Sequence, residues 1–429
     1  MYGGSGRADG PRGLCLPCQM GARFGPLPRG GCVKSRERVL AAINHQKPDR
    51  VPVDLGGMRS TGMMAMAYAD LKQHLGVCEG AIYVFDPGQQ LALIEEPILQ
   101  RYGADVVPLD LGTISGWKPY RLPDGREALI RADFEMEPDG EGGWFQLDGG
   151  RRVGHMPASS YYFDSTYHPL AEATSAAEVD AYDLGEWTDA DLRRLEREAK
   201  RLYEETDYAI MGGFGGAFLE AGQGLRGWDQ FMVDIALDRP LAEAILHKVL
   251  DNNRRNVRRY LDAVGRYIQL IQVGGDLGTQ AGPQLRPEWY YELLQPLEKA
   301  FWGEIHRLSD VKVFLHSCGG IYELIPGIID AGCDVLNPVQ TSAVGMEPER
   351  LKREFGERIT FWGGGCDTQS VLPFGTPEQV YDHVSQRMRV FKPGGGYVFC
   401  QVHNIQAGTP PENIEAMYRA VHDNWAYGD

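Results

Sequence analysis

The stretch VKVFLHSCGGIYELIPGIID, residues 311–330, changes its hydrophobic period half-way along. Up to Cys318 the side chains alternate as on a strand: Val313 and Leu315 share one face, Phe314, His316 and Cys318 the other. Gly319 and Gly320 break that rhythm. Beyond them Ile321, Leu324, Ile325, Ile328 and Ile329 recur at helical spacing and share one stripe. Strand, glycine turn and helix make one βα unit.

Working outward, short runs rich in Val, Ile or Phe recur at 51–55, 105–110, 208–212, 268–273, 335–339, 359–362 and 397–403. Longer amphipathic patterns lie between them. Two have helix-start signals, TPEQ at 376–379 and TPPE at 409–412; the second is read as a capping box with prolines in the first turn. The stripe that follows it is Ile414, Met417, Tyr418, Val421 and Trp425. Eight strands alternating with helices predict an α/β fold, a (β/α)8 TIM barrel. Residues 115–170 interrupt the alternation with Gly, Asp and aromatics (Trp117, Trp144, Phe145, Tyr161, Tyr162). They are expected to be β-hairpins inserted after the second strand, over the barrel mouth. No internal repeat is found.

Residues 1–34 are rich in Gly and Pro and carry Cys15, Cys18 and Cys32. They have no apolar core of a secretory signal and lack the fourth ligand of a structural zinc site. They read as a disordered tail or an over-extended start, with residues 35–429 forming the barrel. The remaining cysteines, Cys78, Cys318, Cys333, Cys366 and Cys400, are scattered, which suits reduced thiols in a cytoplasm. The formal charge of −16 disfavours nucleic acid and anionic lipid as partners. No apolar run approaches the roughly 20 residues of a membrane helix.

Active sites of parallel barrels lie at the C-terminal ends of the strands. His316 and Cys318, two apart on one strand face, can reach one ion there. A following helix N-terminus would favour a thiolate at Cys318. A catalytic zinc has about three protein ligands. On the last expected strand Val398, Cys400 and Val402 share one face, Phe399, Gln401 and His403 the other. The valine face is read as packing on outer helices and the polar face as lining the mouth. Parity therefore selects His403 as third ligand, with Cys400 the alternative and Cys366 a weaker one. Asp276, after Gly274 and Gly275, is the preferred catalytic acid. Asp54, Arg59, Asp86 and Gln280 are candidates for substrate binding. Glu220 and Arg226 are further polar candidates.

Four segments carry a family resemblance: SRERVLAAINHQKPDRVPV at 35–53, GDLGTQ at 275–280, HSCG at 316–319 and TPPENI at 409–414. Together they resemble the uroporphyrinogen decarboxylase superfamily over roughly residues 35–425. The resemblance implies a (β/α)8 barrel and one of two chemistries. The decarboxylases use no metal and bind a tetracarboxylate through an N-terminal motif with two arginines; here GMRSTG at 57–62 supplies only Arg59. The other branch comprises zinc methyltransferases that work with corrinoid proteins. Its His-x-Cys pair matches His316 and Cys318, and its third-ligand place is taken by His403, with Cys400 three residues earlier. In the decarboxylases that place is a substrate-facing His.

The expected function is thus zinc-dependent transfer of a methyl group between a small donor or acceptor (methyl ether, methylamine or thiol type) and a corrinoid carried by a partner protein. With an ether donor, Asp276 or His403 would protonate the leaving oxygen. Metal-free decarboxylation is the first rival, and a non-catalytic small-molecule-binding barrel the second.

Overall fold

The computed structural model describes residues 33–77 and 79–427. The expected tail lies outside these residues except for its last two, and so does Cys78. Among the described residues, seven strands form one parallel sheet. Its order is Tyr397–Val398, Thr360–Trp362, Val335–Asn337, Lys312–His316, Leu270–Gly274, Ala209–Gly216, Val106–Pro108. Helices connect them, as in a parallel α/β barrel.

The segment expected as the first strand, 51–55, does not form a ladder. Pro52 has no N–H to donate, so regular pairing fails there. It still fills the seam between the last strand and the Val106–Pro108 strand. Asp54 N–H donates to Phe399 O (2.8 Å) and Phe399 N–H to Pro52 O (2.9 Å) on one side; Asp105 N–H donates to Val53 O (2.8 Å) on the other. The Asp105 carboxylate completes the seam. It is fully buried and accepts from Val53 N–H (2.9 Å), Arg38 Nη1 (2.6 Å) and Arg50 Nη1 (2.7 Å).

Alternation sets the two faces of the sheet. Val106, Ala209, Met211, Leu270, Phe314, Val335, Trp362, Val398 and Cys400 pack together inside the barrel. Ile210, Ile271, Val313, Leu315, Leu336, Phe361, Tyr397 and Phe399 belong to the larger core shared with the outer helices. Phe314 meets Trp362 edge-on, with ring centroids 5.3 Å apart.

Several strands are shorter than expected, and two of them bear on the site. The 311–318 strand stops at His316 and the 397–403 strand at Val398. The helix expected directly after Gly320 is delayed: a short 3-10 turn, Tyr322–Leu324, precedes the helix Ile325–Ala331. The capping box at Thr376 forms, with Gln379 N–H on Thr376 Oγ1 at 3.3 Å and Thr376 N–H on Gln379 Oε1 at 2.8 Å. That at Thr409 does not; Pro410 is the N-cap of the last helix and offers no side-chain acceptor.

After the Val106–Pro108 strand, Trp117–Arg121 pairs antiparallel with Glu127–Arg131. Glu135–Pro138, Trp144–Asp148, Arg151–Met156 and Asp164–Ser165 form an antiparallel sheet. The strand Tyr83–Asp86, which the sequence pattern did not indicate, pairs with Glu127–Arg131 outside the barrel. No helix among the described residues is long and apolar enough to cross a membrane.

Replacing Asp105 by Ala leaves two arginines without their buried acceptor and frees the Val53 N–H. The expected cost is about 3–5 kcal/mol of unfolding free energy, read as a lower urea midpoint. An unchanged midpoint would show that the seam closes without the carboxylate.

Candidate metal centre

The parallel register sets Gly274, His316 and Asn337 side by side at the C-terminal ends of three adjacent strands. The turn after His316 is pinned from several directions. Cys318 N–H donates to Asp276 Oδ1 (2.7 Å), Leu277 N–H to Ser317 Oγ (2.9 Å) and Gly319 N–H to Gln340 Oε1 (2.8 Å). Gly319 has φ +89°, and a Cβ there would lie 2.3 Å from the Gly278 carbonyl carbon, so only glycine permits this packing of the two loops.

The His316 ring is surrounded by polar groups. Nδ1 lies 2.7 Å from Asn337 Oδ1; Nε2 lies 3.2 Å from Ser60 Oγ, 3.5 Å from Cys318 Sγ and 3.7 Å from Asp276 Oδ1. His403 completes the group, its ring centroid 6.2 Å from that of His316. One ligand atom from each of His316, Cys318 and His403 lies within 4.8 Å of the others. Metal–ligand bonds of about 2.0–2.3 Å put tetrahedral ligand atoms roughly 3.5 Å apart, the spacing that His316 and Cys318 already have.

His403 reaches this place by a route that strand parity does not describe. Cys400, not His403, continues the inward face of the last strand, together with Val398; it is fully buried in the barrel interior and meets Asn337 Nδ2 at 3.8 Å. The face of Phe399 points outward, where that ring meets Tyr418. The parity argument therefore assigned the two faces the wrong way round. The chain leaves the strand after Val398, and His403 takes a left-handed φ of +66°, which turns its ring into the mouth. Such a conformation is strained for a residue with a Cβ. Cys366 is fully buried with its Sγ 3.9 Å from Asp367 O, apart from the group.

Burial shifts the ionisable groups here. It lowers the His403 pKa to about 4, helped by the neighbouring His316, so the ring is neutral. It raises the Cys318 thiol, and the Asp276 carboxylate adds to the rise. The expected helix dipole cannot oppose this, because the helix starts beyond the 3-10 turn. Glu220 is raised too, first by burial; the Asp276 N–H that it accepts works against this and the Asp276 carboxylate with it.

Beside the group lies a cavity of about 820 Å³. Arg59, Glu220, Asp276, His316 and His403 line it, with Ser60, Asn253, Gln272 and the rings of Phe85, Trp187 and Phe214. Other sequence candidates fall elsewhere. Asp54 is fully buried below the floor, where its carboxylate accepts from Gly57 N–H (2.7 Å) and Trp362 Nε1 (2.8 Å). Asp86 is buried behind Arg59, holding the guanidinium at 2.6 Å. Gln280 is exposed and bonds Gln369 at 2.9 Å. Arg226 is buried against Asp234 at 2.7 Å and serves the fold. Asp54, Asp86 and Gln280 thus do not line the cavity; Arg59 does. From the insertion, Tyr162 reaches Asn404 Oδ1 (3.4 Å) next to His403, and Arg131 lines the cavity.

Ser60 and Asn337 were not anticipated. Asn337 ends a barrel strand, so the rule that selected Asp276 also points to it; Ser60 sits in a single 3-10 turn, Arg59–Thr61, too short to carry a periodic signal.

The uroporphyrinogen decarboxylase (URO-D) family model matches residues 170–424. The chain belongs to the uroporphyrinogen decarboxylase family. A protein of Nitrosospira multiformis named uroporphyrinogen decarboxylase is 28% identical over 183 residues, which is 42% of this chain and about half (47%) of that protein's length. One of the same name from Alkalilimnicola ehrlichii is 23% identical over 402 residues, covering 91% of this chain and 94% of that one. Among solved structures, a methyltransferase from Methanosarcina mazei superimposes with a TM-score of 0.58 at 16% identity, over 91% of this chain and 98% of that one; at that identity the match speaks for the fold.

The geometry separates the two candidate third ligands. Cys400→Ala is expected to retain bound zinc and His403→Ala to lose most of it, measured by metal analysis after gel filtration. The reverse pattern would restore Cys400 as the ligand.

Proposed function

We propose that this member of the uroporphyrinogen decarboxylase family is a zinc-dependent methyltransferase, moving a methyl group between a small substrate and the cobalt of a partner protein's corrinoid. The observation that carries the reading is the convergence of His316 Nε2, Cys318 Sγ and His403 within 4.8 Å, beside the 820 Å³ cavity. Imidazole and thiolate suit zinc better than magnesium or calcium. Three ligands leave a position for substrate, as a catalytic site requires. Bound there, zinc would supply Lewis acidity toward an ether oxygen or lower the pKa of a thiol.

The chain's own residues provide the rest. Phe85, Trp187 and Phe214 offer apolar walls for a small organic substrate. Asp276 is held by the Cys318 N–H and orients the loop that bears the thiol. A proton for a leaving oxygen comes more readily from Glu220 than from His403. Burial raises the first toward its protonated form, whereas the second, neutral with a pKa near 4, has no labile proton to give when it ligates.

Metal-free decarboxylation has the names of the two relatives in its favour. Against it stand the cations of the cavity. Arg59 is paired with Asp86 and Arg131 with Asp133, which is a poor supply for a substrate with several carboxylates.

Metal analysis of the purified chain, combined with methyl transfer to free cob(I)alamin, decides between the two. The expected result is about one zinc per chain and transfer abolished by chelation; a metal-free protein without transfer activity overturns the reading. Glu220→Gln is expected to slow transfer from a methyl ether by about 10²–10⁴-fold, the usual worth of a general acid. It should leave the zinc content unchanged. Full activity in that variant would return the proton to Asp276.

A further inference from the structure

The Asn337 side chain is fully buried, and each of its amide groups has a defined partner. Its NH2 donates to Trp362 O at 2.9 Å and faces Cys400 Sγ at 3.8 Å. Trp362 O is an acceptor only, so the amide cannot be flipped without setting two oxygens against each other. The oxygen is therefore turned to His316, 2.7 Å from Nδ1. An amide oxygen accepts and never donates, so Nδ1 must carry the proton. In a neutral imidazole that leaves Nε2 with its lone pair. Nε2 is the atom that faces Cys318 Sγ at 3.5 Å and Ser60 Oγ at 3.2 Å.

We propose that Asn337 is a positioning residue that fixes His316 in the Nδ1–H tautomer and so presents Nε2 as the metal-binding nitrogen, with Trp362 O and Cys400 holding the amide in place. Cys400 thereby acts on the site without ligating: it sits one layer below, on the inward face of its strand, and meets the Asn337 amide at 3.8 Å. The inference rests on the zinc reading for its consequence, but not for the tautomer itself. A histidine ligand held from its other nitrogen loses less orientational freedom on binding and is a better donor.

The test uses the full chain. Zinc affinity is measured by competition with a chromophoric chelator, and the His316 tautomer by ¹⁵N NMR of the chelated, histidine-labelled protein, assigned through His316→Gln. Asn337→Leu, close in size but without an acceptor, is expected to weaken zinc about ten- to a hundredfold. Asn337→Asp, kept protonated by full burial, keeps an oxygen facing Nδ1 and offers an O–H to Trp362 O in place of the N–H; it is expected to stay within about threefold of wild type, a rescue that a purely space-filling role would not produce. Equal affinity in the Leu variant, or an Nε2–H tautomer in the wild type, overturns the proposal. If Asn337→Leu does not fold, the wild-type tautomer and the Asp variant still decide. A wild type that binds no zinc sinks the metal reading alone, and the NMR result then decides the tautomer by itself.

Discussion

The barrel depends on a carboxylate. Its seam runs where Pro52 removes a ladder donor, and there Asp105 gathers the Val53 N–H and two arginines at full burial. The main-chain bonds on either side of residues 52–54 are individually worth about 1 kcal/mol net. They need something to hold the segment in register, and a charge that cannot be left unpaired does this. A sheet that failed to close here would have no common mouth.

Closure converts alternation into position. A residue on the inward face is core at mid-strand and lines the mouth at the strand end. Phe314 and His316 show the switch within two residues, the first packed on Trp362 and the second facing the cavity. That much was legible in the sequence, because the 311–318 run alternates cleanly and a glycine pair marks its end. The last strand was misread because both of its faces are buried, as parallel strands usually are. With Val398 and Cys400 on one side and Phe399 and Gln401 on the other, neither side is polar enough to declare itself the mouth. His403 reaches the mouth by a route the parity argument did not use: the strand ends early, and a left-handed residue redirects the chain. Nothing in the local pattern signals that turn, since positive φ at a histidine is imposed by its surroundings rather than by its own preference.

Three acids, Asp54, Asp86 and Asp276, were legible as candidates but not as roles, and Asp105 was not singled out. Asp54, Asp86, Asp105 and Asp276 all sit near strand ends or glycine-rich loops. What separates them is which groups lie across the barrel: Trp362 for Asp54, Arg59 for Asp86, Arg38 and Arg50 for Asp105. Those partners are distant in sequence, so a buried structural carboxylate and a half-buried one at the mouth look alike until the chain is folded. Asn337 escaped notice for the complementary reason. An amide with no charge draws no attention, although its place, one ladder step from His316, follows from the same parallel register.

The His403 imidazole is kept neutral and the His316 ring is held from behind by Asn337, a thiol is pushed toward its protonated form, and the carboxylates of Glu220 and Asp276 crowd each other. The thiol and Glu220 share a sign: negative charge is disfavoured there because it meets more negative charge or too little solvent, whereas at His403 it is the cation that burial and His316 disfavour. None of the ion pairs among the described residues brings an arginine or lysine to Glu220 or Asp276. Arg59, the cation closest in role, already faces Asp86. One positive ion among the three ligand atoms would offset the penalties on the thiol and on the carboxylate pair together, and the neutral imidazole of His403 is already the form that ligates. A polyanionic substrate would deepen those two penalties. Charge thus favours the metal reading over the decarboxylase one on grounds separate from ligand geometry.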